Sequence, residues 1–154
     1  TEFIYKKPEI DDIKRKVEFI EFVKRINVTI NDLDSAQIIV AGGKGMKNEA
    51  GFELLKEFAK SIGASLGASR GAVDMGLASQ DIQIGQTGKT VTPKLYIACG
   101  ISGAIQHTVG MCDSDKIIAI NKDPNAPIFE ISDVGFVGDV FEVLPQLSKM
   151  FMLK

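Results

Sequence analysis

The sequence predicts a doubly wound parallel α/β sheet, and three observations predict it. Short apolar runs recur without polar alternation, as in strands buried on both faces. Segments with apolar residues at helical spacing separate them, the order of a βαβ chain. Glycines and polar residues follow nearly every run, which sets them along the one edge where open α/β sheets hold ligands.

An arm over 1–35 comes first. Its Glu9–Arg25 stretch is charge-dense, and within Arg15–Lys24 the residues Val17, Phe19 and Val23 alternate with Glu18, Ile20 and Phe22, the pattern of a half-buried strand. Asp32–Ser35 supplies turn residues. The domain proper, 36–154, opens on the strand Gln37–Ala41, which ends at Gly42-Gly43-Lys44-Gly45. Lys47–Ile62 reads as a helix with Leu55, Phe58, Ala59 and Ile62 in one stripe, and Gly63 is placed to terminate it. Further strands fall at Ala64–Gly67, Leu95–Cys99, Lys116–Ile120 and Asp133–Val137. Ser102 to Val109 reads as a short helix with Ser102 as its N-cap. A last helix carries Val140, Leu144, Leu147 and Phe151 on one face.

Composition bounds the function. The chain has 154 residues, 45% apolar and 25% charged, with a formal charge of -2. That is one globular domain with enough chain to bury a core, and it lacks the basic surplus of a nucleic-acid binder. No apolar run reaches about 18 residues, so no membrane insertion is expected. Thr1–Pro8 has no apolar signal-peptide core and the first residue is not Met, so the chain reads as a piece of something longer or a processed product. Cys99 lies in an apolar run and reads as core, Cys112 belongs to no motif, and a reducing compartment is the default. His107 is the single histidine, which excludes a His-rich zinc site.

The strand ends carry the chemistry. Gly43-Lys44-Gly45-Met46-Lys47-Asn48 begins as a dinucleotide fingerprint but lacks its third glycine. Ser69-Arg70 stands where an acidic residue would hold a ribose, and Arg70 could meet a 2′-phosphate, so an NAD(P)-binding dehydrogenase domain remains an alternative. Polar clusters also close Gly67–Arg70, Gly85–Gly88, Gly100–His107 and Asn121–Pro124. The third pairs glycines with a helix start, a place for an anion, followed by Gln106 and His107. Several such clusters on one edge point to an extended polar ligand. No G-x-S-x-G elbow, phosphate-binding P-loop or catalytic carboxylate pair is present.

Three motifs carry a resemblance: Gly67-Ala68-Ser69-Arg70-Gly71-Ala72-Val73-Asp74, Gln83-Ile84-Gly85-Gln86-Thr87-Gly88-Lys89, and Tyr96 through His107. With Ile118–Asp123 and Pro127–Phe129, they make Ala36–Phe151 similar to the carboxyl-terminal FAD-binding domain of the electron-transfer flavoprotein α subunit. The resemblance implies a Rossmann-like fold with FAD extended across the strand ends. It sets Ser69 near the pyrophosphate, Arg70 against the isoalloxazine, and Gln83 and Thr87 at the flavin, the Thr hydroxyl near N5. Ser102, Gln106 and His107 form the helix-start group, with the imidazole by the flavin O2, tuning with pH. Asn121, Lys122 and Asp139 take the adenosine end. Gly85, Gln86, Gly88, Gly103, Ala104 and Ile105 belong to the same motifs. Lys44, where many relatives carry arginine, keeps a cation for an anion contact.

The implied function is electron carriage, with no substrate transformed by the chain itself. Electrons come from a flavin dehydrogenase and pass through flavin semiquinone and hydroquinone to an oxidoreductase or other acceptor. The implied partner is the electron-transfer flavoprotein β subunit. The implied setting is the cytoplasm of a bacterium or archaeon, or the mitochondrial matrix.

Overall fold

The structure is a computed structural model that describes residues 32–152. The expected strand within Arg15–Lys24 and the Phe151 side chain lie outside the described residues. Six strands form one parallel sheet: β1 (Ile38–Gly42), β2 (Ser65–Ser69), β3 (Gln83–Ile84), β4 (Leu95–Cys99), β5 (Ile117–Asn121) and β6 (Val134–Val137). Their order is β3-β2-β1-β4-β5-β6, so the chain starts in the middle, runs to one edge, returns and runs to the other. The helices are α1 (Glu49–Ser61), α2 (Arg70–Asp74), α3 (Ile105–Thr108) and α4 (Val140–Met152). The expected doubly wound, Rossmann-like sheet is the fold observed.

Alternation along each strand divides the core in two. Val40, Ile97, Cys99 and Ile120 face α1 and α4, where Phe52, Leu55, Phe58, Val140 and Leu144 are buried. Ile39, Ala41, Tyr96, Ala98, Ile117 and Ala119 face the other way, onto Leu33, Val91, Met111 and Ile128. That second layer is built from turns and loops, with Ile128 and Phe129 supplied by a 3-10 turn. Cys99 is a core residue, as its apolar run predicts, and burial pushes its thiol up.

Local chemistry sets the helix ends. Asn48 caps α1, its side chain accepting from the Gly51 N–H at 2.9 Å. Gly63 follows that helix at φ 67°, the left-handed conformation that closes it. The stripe Leu55, Phe58 and Ala59 is buried, as the periodicity requires. Ser102 is not an N-cap. The helix begins three residues later, with Ala104 at the cap and no side-chain bond to it. The reason lies in Gly103, whose φ is 89° and whose Cβ position would meet the Ile128 nitrogen at 2.2 Å. This glycine lets the backbone run extended against the 3-10 turn Pro127–Glu130, which donates from Ile128 N–H to the Ser102 carbonyl at 2.9 Å. With one turn of helix in α3, no helix dipole of consequence is left to hold an anion there. β3 is a second difference: its two residues pair along β2's edge just before the Gly85–Gly88 cluster, where no strand is expected from the sequence.

Where the chain reverses its direction of growth, two glycine turns touch. Gly43 N–H donates to the Cys99 carbonyl and Gly45 N–H to the Gly100 carbonyl, both at 2.9 Å. A Cβ on Gly43 would stand 2.3 Å from the Gly100 oxygen, and one on Gly45 would stand 2.6 Å from the Gly100 Cα. Backbone meets backbone here, so no side-chain movement relieves a methyl group. Gly43→Ala is therefore expected to cost about 3 kcal/mol, the upper range for overpacking. Gly63→Ala meets open space and carries only the left-handed penalty, about 1 kcal/mol. Urea midpoints of the two variants at unchanged m check the order.

Candidate functional site

A cleft of about 670 Å³ lies over the carboxyl ends of the strands, within the range of about 300–1,000 Å³ usual for small-molecule sites. Its wall draws on the segments that follow β1, β2, β3, β4 and β5. From β3 to β5 it crosses four strand spacings of about 4.8 Å, about 19 Å in all. That length suits a dinucleotide better than a single phosphate.

Each polar side chain is placed by the element it ends. Ser69 closes β2 and caps α2, its hydroxyl accepting from the Ala72 N–H at 3.3 Å. Arg70 opens α2 with its side chain 68% exposed, and its Nε lies 3.6 Å from the Asp74 carboxylate one turn on. Such an exposed pair is worth little, which leaves the guanidinium free to turn to a ligand. Gly71 makes room for Lys44, because a Cβ there would meet the lysine stem at 2.7 Å. Gln83 is buried and donates to the Thr87 hydroxyl at 2.9 Å. Asn121 donates to the Ile101 carbonyl at 2.9 Å and accepts from the Asp123 N–H at 3.0 Å, joining the turns after β4 and β5.

The structure brings most of the expected residues to this wall: Lys44, Ser69, Arg70, Gln83, Gly85, Gln86, Thr87, Ser102, Ala104, Gln106, His107, Asn121 and Lys122. Gly88, Gly103, Ile105 and Asp139 are not part of it. Gly88 serves the turn, since a Cβ would meet the Gln83 carbonyl oxygen at 2.3 Å. Ile105 is 70% exposed. Asp139 pairs with Lys47 at 2.9 Å and accepts from the Phe141 N–H at 3.0 Å, capping α4. Lys47, then the Phe141 N–H, hold its carboxyl below the usual range. Asp74, Asp123, Ala126 and Pro127 line the cleft without having been expected there. Asp74 had a signal, its i,i+4 spacing from Arg70, and Asp123 had another in its strand-end cluster.

His107 differs from its expected role. It is 6% exposed, and both ring nitrogens are engaged inside the chain. A carbonyl only accepts, so Nδ1 carries the proton and donates to the Ile84 carbonyl at 3.0 Å. Nε2 then accepts from the Tyr96 hydroxyl at 2.9 Å. Burial, partly opposed by the Ile84 bond, brings its pKa down to about 4. The ring is neutral at physiological pH, and neither nitrogen is left to donate to a ligand. The charge in the cleft comes from Lys44, Arg70 and Lys122 against Asp74 and Asp123, an excess of one cation. Among the described residues no cluster could hold a metal ion, and no helix is long and apolar enough to cross a membrane.

A glycine-clamped sheet edge with a long cleft, its surface more apolar than polar and carrying an excess of one cation, fits a dinucleotide-cofactor domain of the α/β class. The family model described as "Electron transfer flavoprotein FAD-binding domain" matches residues 32–112, more than half of the chain. The chain belongs to that family, whose cofactor is FAD. It is 61% identical over 120 residues to the electron transfer flavoprotein subunit alpha of Bacillus subtilis, covering 78% of this chain and 37% of that protein. The mitochondrial subunit alpha of Dictyostelium discoideum is 58% identical over 118 residues, 77% of this chain and 33% of that one. The subunit alpha of Megasphaera elsdenii is 51% identical over 150 residues, 96% of this chain and 44% of that one. The chain thus spans a third to less than half of the curated relatives it matches.

The neutral histidine links stability to pH. Its folded pKa of about 4 lies below the ordinary 6.5, so the unfolded chain binds the proton more tightly. The stability it holds is complete above pH 6.5 and is lost as pH falls toward 4, up to about 3 kcal/mol. His107→Gln removes the titration, and its stability is expected to fall less than the wild type's across that window. Parallel slopes in denaturant titrations at each pH would contradict the assignment.

Proposed function

We propose that this chain is the FAD-carrying part of a two-subunit electron carrier, with an arm over 1–35 and the cofactor domain over 36–154. One observation carries the reading: the cleft runs across the sheet end from the Gln83–Thr87 turn to Asn121 and Lys122, with cations spaced along it. The residues fit an extended flavin dinucleotide. The glycine turns bring backbone close to where a pyrophosphate would lie, and an excess positive charge suits its anion.

When bound, FAD supplies the redox chemistry, taking up and releasing electrons at its ring. Lys44 and the Ser69 hydroxyl hold the pyrophosphate. Arg70 sets a permanent cation beside the isoalloxazine, which favours the ring when it carries added negative charge. Gln83, Thr87 and the Gly85-Gln86 turn shape the flavin end, with His107 as a neutral part of that wall. Ser102, Ala104 and Gln106 line the middle, and Asn121 and Lys122 meet the adenosine end. No side chain is required as nucleophile or general base, so the chain changes no substrate of its own.

In this reading the domain works against an electron-transfer flavoprotein β subunit. A flavin dehydrogenase donates electrons, and an oxidoreductase or other acceptor removes them. Relatives of mitochondrial and bacterial origin support a mitochondrial matrix or a bacterial cytoplasm as the setting. An NADP-type ligand is the second reading, favoured by Arg70 alone.

Titration of the purified chain with FAD is expected to show one saturable site, with flavin fluorescence changing on binding and NADP+ failing to compete. Arg70→Ala is expected to weaken FAD binding about tenfold, less than a buried charge contact would give because the side chain is exposed. The same variant lowers the midpoint potential of the bound flavin. Competition by NADP+, or an unchanged potential in the loaded variant, would contradict the assignment.

A further inference from the structure

We propose that Tyr96 is a positioning residue for the cleft, its buried hydroxyl fixing His107 and, through it, the Ile84–Gln86 wall. The relay is Tyr96 O–H to His107 Nε2 at 2.9 Å, then His107 Nδ1–H to the Ile84 carbonyl at 3.0 Å. Every proton in it has one place. The carbonyl cannot donate, so the imidazole must be the Nδ1–H form, and its Nε2 lone pair faces the phenol. Tyr96 is anchored in the middle of the fold, on β4 between β1 and β5, and it is completely buried. Ile84 is the opposite kind of residue, the last of a two-residue edge strand whose one neighbouring strand is β2 and whose other backbone pairing is a single bridge to Lys89 in the turn that follows it.

The relay therefore ties the least supported strand of the sheet to one of its most supported. A second tie runs beside it, from Gln86 N–H to the Gln106 carbonyl at 2.7 Å, one residue before His107. Gly85 lies so near that a Cβ on it would meet the Gln106 oxygen at 2.5 Å. Moving His107 moves both ties. Gln83, Thr87 and Gln86 all stand on the segment these ties hold, and all line the cleft. With the phenol hydroxyl removed, a buried Nε2 acceptor loses its donor, and an orphaned buried acceptor is costly. The ring is then free to tip Nε2 into the cleft toward water.

The effect on cofactor binding rests on the FAD reading, but the relay itself is read in the free chain. His107 is the single histidine, so one imidazole is seen when histidine is 15N-labelled. In the wild type at pH 7 we expect a single Nδ1–H form with a slowly exchanging proton and a hydrogen-bonded Nε2. In Tyr96→Phe we expect that signature to be lost, the Gln86 amide to exchange about tenfold faster, and FAD to bind about tenfold more weakly, each the equivalent of one hydrogen bond.

An unchanged imidazole signature, or a changed one with the Gln86 amide as protected as before, would overturn the proposal and leave Tyr96 a packing residue. So would unchanged FAD affinity in a wild type and variant that both bind. If the wild type binds no FAD, the functional reading fails, and the imidazole and amide measurements still decide the relay. Should Tyr96→Phe not fold, 3-fluorotyrosine placed at Tyr96 keeps the shape and strengthens the donor. A shifted Nε2 resonance supports the relay, and an unmoved one overturns it.

Discussion

The close contact between two glycine turns at the centre of the sheet is the constraint on which the site depends. A parallel sheet that grows first to one side and then to the other leaves a crevice where the two halves diverge. Here the turns after β1 and β4 meet at that crevice through two backbone hydrogen bonds, and only glycine fits on either side. The contact fixes how the two halves of the domain stand at their carboxyl ends. It also keeps bulk out of the middle of the cleft, so a ligand can lie against main chain there and reach side chains at both ends.

Those side chains divide into two kinds. Lys44, Arg70 and Lys122 carry charge on exposed or half-exposed stems, so they can adapt to a ligand but hold little structure by themselves. Ser69, Gln83 and His107 are buried polar groups with partners inside the chain. They give the wall its shape. A cleft that attracts with exposed cations and orients with buried neutral groups suits a cofactor that stays bound while its charge changes. It needs no residue that takes and returns a proton.

How much of this was legible in the sequence follows from the distance over which each feature is determined. Leu95–Cys99 matches β4 to the residue because an unbroken apolar run between a lysine and a glycine has no other local solution. α1 and its terminating Gly63 were equally local. β3 was not, because two residues carry no period and the strand is defined by its pairing with β2 and a single bridge to Lys89. Ser102 looks like a helix cap in sequence, and what prevents it is the turn at Pro127–Glu130 pressing on Gly103. The cleft's membership was legible at the ends of β1, β2, β4 and β5 but not after β6, where Asp139 is taken up by Lys47 and the start of α4. The state of His107 was not, since its two partners lie 11 and 23 residues away and only folding brings them to it.

FAD extended over the carboxyl end of the sheet would reach backbone along the whole cleft, and mapping amide shifts of the labelled chain on addition of FAD decides whether it does. A continuous band of shifted amides is expected from Gln83–Thr87 through Ser69–Gly71 and Gly43–Gly45 to Gly100–Gln106 and Asn121–Asp123, with the exposed face of α1 unchanged. Shifts confined to one end of that band, or centred on α1 and α4, would contradict it.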